Sequence, residues 1–146
     1  MQIEIVEDEN CKELKIIIVT QNMSNEVNEI IKKLSDESPQ ILLGFRDGAA
    51  TILNEAELYR IYSANGKIFA VTDHGEYTLR LKLYELEQKL DKATFVRISN
   101  SEIINIKKAK KFDLSFAGTI CINLVDGTRS YVSRRYVSKI KQLLGI

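Results

Sequence analysis

The chain has 146 residues, 45% hydrophobic and 28% charged, which suffices for one core, or one core with a small appendage, in a globular protein. No stretch approaches the ~18 uninterrupted apolar residues of a spanning helix, and the opening MQIEIVEDEN is acidic where a secretory signal would be basic, so a cytoplasmic protein is expected. Cys11 and Cys121 lie far apart with no CxxC spacing, which excludes a sequence-evident zinc site or disulfide framework and predicts two ordinary buried or half-buried thiols.

The net charge of +1 conceals an asymmetry. Residues 1–57 carry 5 basic and 12 acidic side chains, residues 58–146 carry 16 and 8, and residues 92–146 alone carry 11 and 3. Such a split suits a polyanion-binding region with an acidic companion segment. The lysines Lys107, Lys108, Lys110 and Lys111 equally suit a solvated strand edge, where lysine protects exposed backbone from pairing.

In chain order, QIEIVE alternates polar and apolar residues, DEN supplies a turn and LKIIIVT is β-branched, which predicts a hairpin. Asn22 or Ser24 caps a following amphipathic helix with Val27, Ile30, Ile31 and Leu34 at helical spacing, acids early and lysines late. Asp36-Glu37-Ser38-Pro39, with the chain's one proline, ends that helix and marks a boundary between an extension, 1–39, and a domain, 40–146. From Gln40 short strands alternate with turns at Asp47-Gly48, Asn65-Gly66 and His74-Gly75, the pattern of a β-meander. A short helix, KLYELEQKL, precedes a strand, FVRIS, then a compact segment at SNSEIINI. Strands at KKFDLSF, TICINLV and SYV follow, with turns near Ala117-Gly118 and Asp126-Gly127. A helix from about Arg134 to Leu144, capped by Ser133 and packed through Val137, Ile140 and Leu144, closes the chain.

Two functional classes are disfavoured. The acidic start resembles the first strand of a phosphorylatable receiver, but such a domain needs ~100 or more residues of alternating strand and helix, and only 39 are available. No triad, P-loop, dinucleotide fingerprint or metal cluster is present, so neither an enzyme, a cofactor nor a small-molecule substrate is expected. The single histidine, His74, sits in a His-Gly turn, and Glu85 and Glu87, two apart on a helix, point to different faces as solvated surface.

Ser133-Arg134-Arg135-Tyr136 opens the last helix with two cations at the positive end of its dipole, where acids are favoured by a few tenths of a kcal/mol each. Backbone N–H groups, a hydroxyl and two guanidiniums suit phosphate oxygens, and arginine also reads guanine bidentately in the major groove. Alternatively, one arginine pairs with an acid on a neighbouring strand.

The blocks LYRIYSANGKIFAVT, LYELEQKL, FVRISNSEIIN and DGTRSYVSRRYVSKIK together resemble, in order and spacing, the LytTR family of DNA-binding domains over roughly residues 42–146. The resemblance implies a mostly β, elongated fold of packed sheets with short helices, here preceded by the hairpin-helix extension, and strand-scaffolded loops that reach successive major-groove segments. The loops it identifies as DNA-binding are Asn65-Gly66-Lys67, Ser99-Asn100-Ser101 and Ser133-Arg134-Arg135, with Arg135 matching a base-reading arginine. Asn100 would pair with adenine or donate to a phosphate, and Lys67 would supply charge. Lys139 and Lys141 are backbone-contact candidates, whereas Arg97 either joins the interface or pairs internally. The family signature often reads F-x-R-x-H-[RK]-S, and Ser99 and Asn100 here replace its histidine and basic residue. The resulting expectation is a sequence-specific transcriptional regulator acting on double-stranded DNA as a homodimer. A protein-interaction module that kept the fold but binds DNA weakly is the alternative, and a membrane-protein regulator is a partner implied by the resemblance alone.

Overall fold

A computed structural model describes residues 1–35 and 41–146. The chain divides into two compact units, residues 1–39 and 40–146. The expected boundary motif at 36–39 lies outside the described residues.

In the first unit the turn at Asp8 forms, with Cys11 N–H donating to the Asp8 carbonyl (3.0 Å) and Asn10 N–H to Asp8 Oδ1 (2.9 Å). The strands expected on either side do not, and this corrects the hairpin extension: residues 1–24 contain no strand. The physical reason is that alternation creates an apolar face without supplying something to cover it, and a two-stranded hairpin alone is marginal in water. Ile3, Ile5, Leu14, Ile17 and Val19 are accordingly exposed, as is Cys11, which was expected to be at least half-buried. Helix α1 (Asn25–Ser35) forms as expected, and Ser24 caps it by accepting from Val27 N–H at 3.3 Å.

The described residues of the second unit form ten strands. The first five are β1 (Leu42–Arg46), β2 (Ala49–Leu53), β3 (Leu58–Ala64), β4 (Lys67–Thr72) and β5 (Gly75–Leu79), followed by α2 (Leu83–Lys89). Then come β6 (Phe95–Ser99), β7 (Glu102–Asn105), β8 (Ala109–Asp113), β9 (Ile120–Leu124), β10 (Arg129–Val132) and α3 (Arg134–Leu144). An antiparallel seven-stranded sheet runs β2-β1-β5-β4-β3-β7-β6, and a three-stranded sheet runs β10-β9-β8. Asp47 and Gly48, and Asn65 and Gly66, all have positive φ, as tight two-residue hairpins with the twist of their strands require. Among the described residues no helix is long and apolar enough to cross a membrane.

The β6–β7 hairpin sits between two cores. Strand alternation sends Phe95 and Ile103 into one core with Leu58, Ile61, Leu83, Leu86 and Leu90. Val96, Ile98 and Ile104 point the other way, into a second core with Ile120, Ile122, Leu124, Val132 and Ile140. SNSEIINI, expected as a compact segment, is therefore the return half of a hairpin. Burial on both faces replaces alternation with a continuous apolar run, which hides the strand period.

Gly44 is closely packed in the large sheet: a Cβ there would stand 2.8 Å from Tyr77 Cβ and 2.7 Å from Leu53 Cδ1. Gly44→Ala should cost about 1–3 kcal/mol by overpacking, read as a lower urea midpoint at unchanged slope.

Candidate nucleic-acid interface

The three loops come from distant parts of the sequence, and strand register brings them to one end of the second unit. Tyr62 on β3 pairs with Glu102 on β7, so the tips of the β3–β4 and β6–β7 hairpins leave the sheet in the same direction. At ~3.4 Å per residue, the Asn65-Gly66 tip reaches a residue or two beyond the Asn100-Ser101 tip. Ser63 N–H donates to the Ser101 carbonyl at 2.8 Å and locks the two tips side by side. On the other flank, Ser133 N–H donates to the Ile98 carbonyl at 2.9 Å, which ties the start of α3 to the end of β6. Tyr136 Oη lies 3.5 Å from Asn100 Oδ1, reaching the middle loop from the first turn of α3. Ser99-Asn100-Ser101 is thus the central loop, tied at or next to its ends to β3, which leads into the first loop, and to the start of α3.

Asn65, Lys67, Asn100, Ser101, Arg134 and Arg135 are exposed, and Ser99 and Ser133 are partly buried. Within the middle loop, Ser101 N–H donates to Ser99 Oγ (3.2 Å), and the two serine hydroxyls lie 3.3 Å apart. The expected cap at Ser133 is corrected: its side chain makes no capping bond, and its carbonyl accepts from Tyr136 N–H at 2.9 Å instead. The helix is fixed at this point by the β6 contact, so the hydroxyl is not needed to start it. Neither Arg134 nor Arg135 is ion-paired among the described residues. The Arg135 guanidinium lies 5.7 Å from the centre of the Tyr136 ring. Two unpaired cations therefore crown a helix start whose dipole already favours anions.

Lys139 does not join the loops. It lies exposed on the second turn of α3 and lines a groove between α2 and α3 with Tyr84, Glu87, Lys92 and Leu143. The lysine run also belongs elsewhere, since Lys110 and Lys111 lie on β8, an edge of the three-stranded sheet. Ala109 pairs with Leu124, while Val132 pairs with Ile120, so Lys107 and Lys108 sit toward the end of that sheet opposite Ser133. Four of the eleven basic residues counted over 92–146 therefore lie on or just before the β8 edge rather than on the loops.

Of the two alternatives for Arg97 the structure shows the internal one, and its partners are not evident in the sequence. Arg97 pairs internally: its NH1 meets Glu87 Oε2 at 3.0 Å, while Nε and NH2 donate to the carbonyls of Ser99 and Asn100, both at 2.6 Å. Glu87 is therefore a structural partner rather than mere solvated surface, and Glu85 accepts from Lys82 N–H at 3.3 Å at the start of α2. Glu102, beside the middle loop, accepts from Arg60 (3.0 Å) on β3 and from the Ser130 hydroxyl (2.7 Å) on β10, linking the two sheets beneath the loops. Tyr62 stacks on Phe69 with ring centres 5.2 Å apart and donates to Glu76 at 2.9 Å; burial first, and that bond second, raise the phenol pKa and keep it a neutral donor. A charge inside an apolar strand, as in EIIN or LYRIYS, is the sequence signal that could have pointed to the Arg60–Glu102 pair.

The arrangement defines a class: a β-rich domain that presents three cross-bonded loops, and the cationic start of a helix, at one end. The chain belongs to the LytTr DNA-binding domain family, which matches residues 49–145. The match begins at β2, although β1 pairs with both β2 and β5 and is part of the same sheet. The LytTr DNA-binding domain of a protein described as a methyl-accepting/DNA response regulator from Bacillus cereus shares the fold, with a TM-score of 0.71 at 21% identity over 75% of this chain and 100% of that one. An uncharacterised HTH-type transcriptional regulator of Staphylococcus aureus (strain NCTC 8325 / PS 47) is 33% identical over 100% of this chain and 99% of its own length. A second, from strain MSSA476, is 35% identical over 94% and 95%. The first of these likenesses runs through residues 1–39 as well as the domain.

Glu102 is mostly shielded, at 14% side-chain exposure, and serves two partners. Glu102→Ala should cost about 2 kcal/mol, between the values for an exposed and a buried pair, because it strands the Arg60 charge and the Ser130 hydroxyl. Urea unfolding measures it, and Glu102→Gln should recover part of the loss.

Proposed function

We propose that this protein is a sequence-specific, DNA-binding transcriptional regulator that reads the major groove through the three loops. The observation that carries this is the tying of the middle loop to the elements that bear the other two: Ser101 is bonded to Ser63 of β3, Asn100 to Tyr136 of α3, and Ile98, just before the loop, to Ser133, which supports the three loops meeting DNA as one surface. Separately mobile loops would each bear an ordering cost on binding. Arg135, unpaired and exposed at the start of α3, is the candidate base reader, and Asn100 the candidate for adenine or phosphate. Lys67, Arg134 and the Ser133 hydroxyl are assigned to the backbone, with Asn65, Ser99 and Ser101 as shorter polar contacts. Lys139 is at most a peripheral phosphate contact, given its place in the α2–α3 groove. A DNA target also puts the protein to work in the cytoplasm.

A mobility-shift assay with duplexes from upstream of the protein's own gene tests the reading. Arg135→Ala should weaken binding to the specific site by roughly 5- to 150-fold, corresponding to ~1–3 kcal/mol for a bidentate base contact, with little change on nonspecific DNA. Unaltered specific affinity would remove Arg135 from the base-reading role. The wild-type affinity should fall steeply with salt, by a slope of about 0.9 for each phosphate neutralised. A flat salt dependence would favour a protein-interaction module.

We assign residues 1–39 to self-association, giving a homodimer on a repeated site. The support is the apolar surface left uncovered there, together with a likeness to the S. aureus relative that includes this segment. The full chain should be dimeric in light scattering and a chain starting at Gln40 monomeric; a dimeric truncation would overturn this assignment.

A further inference from the structure

The geometry points to Arg97 as a positioning residue: with Glu87 of α2 it forms a clamp that holds the middle loop in its DNA-facing shape without itself touching DNA. This rests on the DNA-binding reading above. Arg97 is the third residue of the FVRIS strand, with only 12% of its side chain exposed, and all three of its donor nitrogens are occupied. Nε and NH2 take the carbonyls of Ser99 and Asn100, and NH1 takes the Glu87 carboxylate. Three of the five guanidinium N–H donors are thus spent within the protein, and the side chain's near-burial leaves little of the remainder open to a phosphate or a guanine.

The chemistry of the clamp suits a loop that meets a polyanion. Two successive peptide carbonyls carry partial negative charge, and left free at the tip they would repel phosphates. Arg97 turns both toward itself and offsets their dipoles at charge-assisted distance. The loop's remaining groups, the Asn100 amide and the serine hydroxyls, are then the ones available to DNA. Arg97 coincides with the β-bulge between Arg97 and Ser99, where the strand bends and its carbonyls leave the ladder. Glu87 adds an anchor from another element: α2 packs through Leu83 and Leu86 into the first core, so the clamp refers the loop to a rigid helix. Because Ser99 and Asn100 supply no side-chain charge, this loop relies on placement more than on attraction.

The test compares Arg97→Lys, Arg97→Ala and Glu87→Ala with wild type in the full chain, after circular dichroism confirms that each variant is folded. Lysine keeps the charge but cannot bridge two carbonyls and a carboxylate in one plane. Arg97→Lys is expected to weaken binding to the specific duplex by roughly threefold to thirtyfold, the scale of one or two ordinary hydrogen bonds, since lysine keeps part of the contact, with an unchanged salt slope. Glu87→Ala is expected to weaken binding as well, although it removes a negative charge. A direct phosphate contact by Arg97 would instead make Glu87→Ala bind more tightly, and that result, or a salt slope lowered by about 0.9 in Arg97→Ala, would overturn the inference. Amide hydrogen exchange without DNA supplies a second arm. Ser101 N–H, bonded to Ser99 Oγ, and Ser63 N–H, bonded to the Ser101 carbonyl, should exchange at least about tenfold faster in Arg97→Lys, since local opening exposes them. Unchanged exchange at both would also overturn it. If wild type binds none of the duplexes, the DNA reading fails while the exchange arm still decides whether Arg97 holds the loop.

Discussion

The β6–β7 hairpin is the joint on which the rest of the domain depends. Its alternating side chains fill both hydrophobic cores, its Glu102 links the two sheets, and bonds at and beside its tip reach Ser63 of β3 and Ser133 at the start of α3. A strand pair buried on both faces tolerates little rotation or slippage, because a one-residue shift would exchange the two cores' side chains. That constraint passes to the tip. Ser99-Asn100-Ser101 is held by the strands behind it, by Arg97 beneath it, and by Ser63 and Ser133 beside it.

Rigidity of this kind explains how a surface without a recognition helix can serve as an interface. In a helix-based reader the spacing of side chains is set by one element, whereas here three connections must be fixed relative to one another. Main-chain bonds at 2.8 and 2.9 Å do this directly, without relying on long, entropically costly side chains. The exposed arginines at the start of α3 can then remain unpaired, because the helix is positioned by Ile140 in the core and by the Ser133–Ile98 bond rather than by surface ion pairs.

Much of the fold was legible in the sequence wherever a local rule acts alone. Asp-Gly and Asn-Gly gave the hairpins between β1 and β2 and between β3 and β4, and the periodic apolar residues gave α1, α2 and α3. The misreadings have distinct physical causes. QIEIVE and LKIIIVT have strand-like alternation and β-branched content but no third element to bury their apolar face. SNSEIINI hides a strand because its two buried faces erase the alternation. The candidate site was legible as three loops, which the fold brings to one end, but not as a network. The partners of Glu102, and of Arg97 through Glu87, are 10 or more residues away, and only the folded register brings them together. Charge counting does not separate one surface from another, because lysines on the β8 edge weigh the same in a sum as arginines on the loops.

The central claim is that the three loops meet DNA together as one cross-bonded surface, apart from the lysine edge. Backbone amide shifts during titration with a specific duplex test it most directly. The account predicts concerted changes at residues 65–67, 99–101 and 133–136 with one binding constant, and little change at Lys107, Lys108, Lys110 and Lys111. Changes confined to one loop, or centred on those lysines, would contradict it.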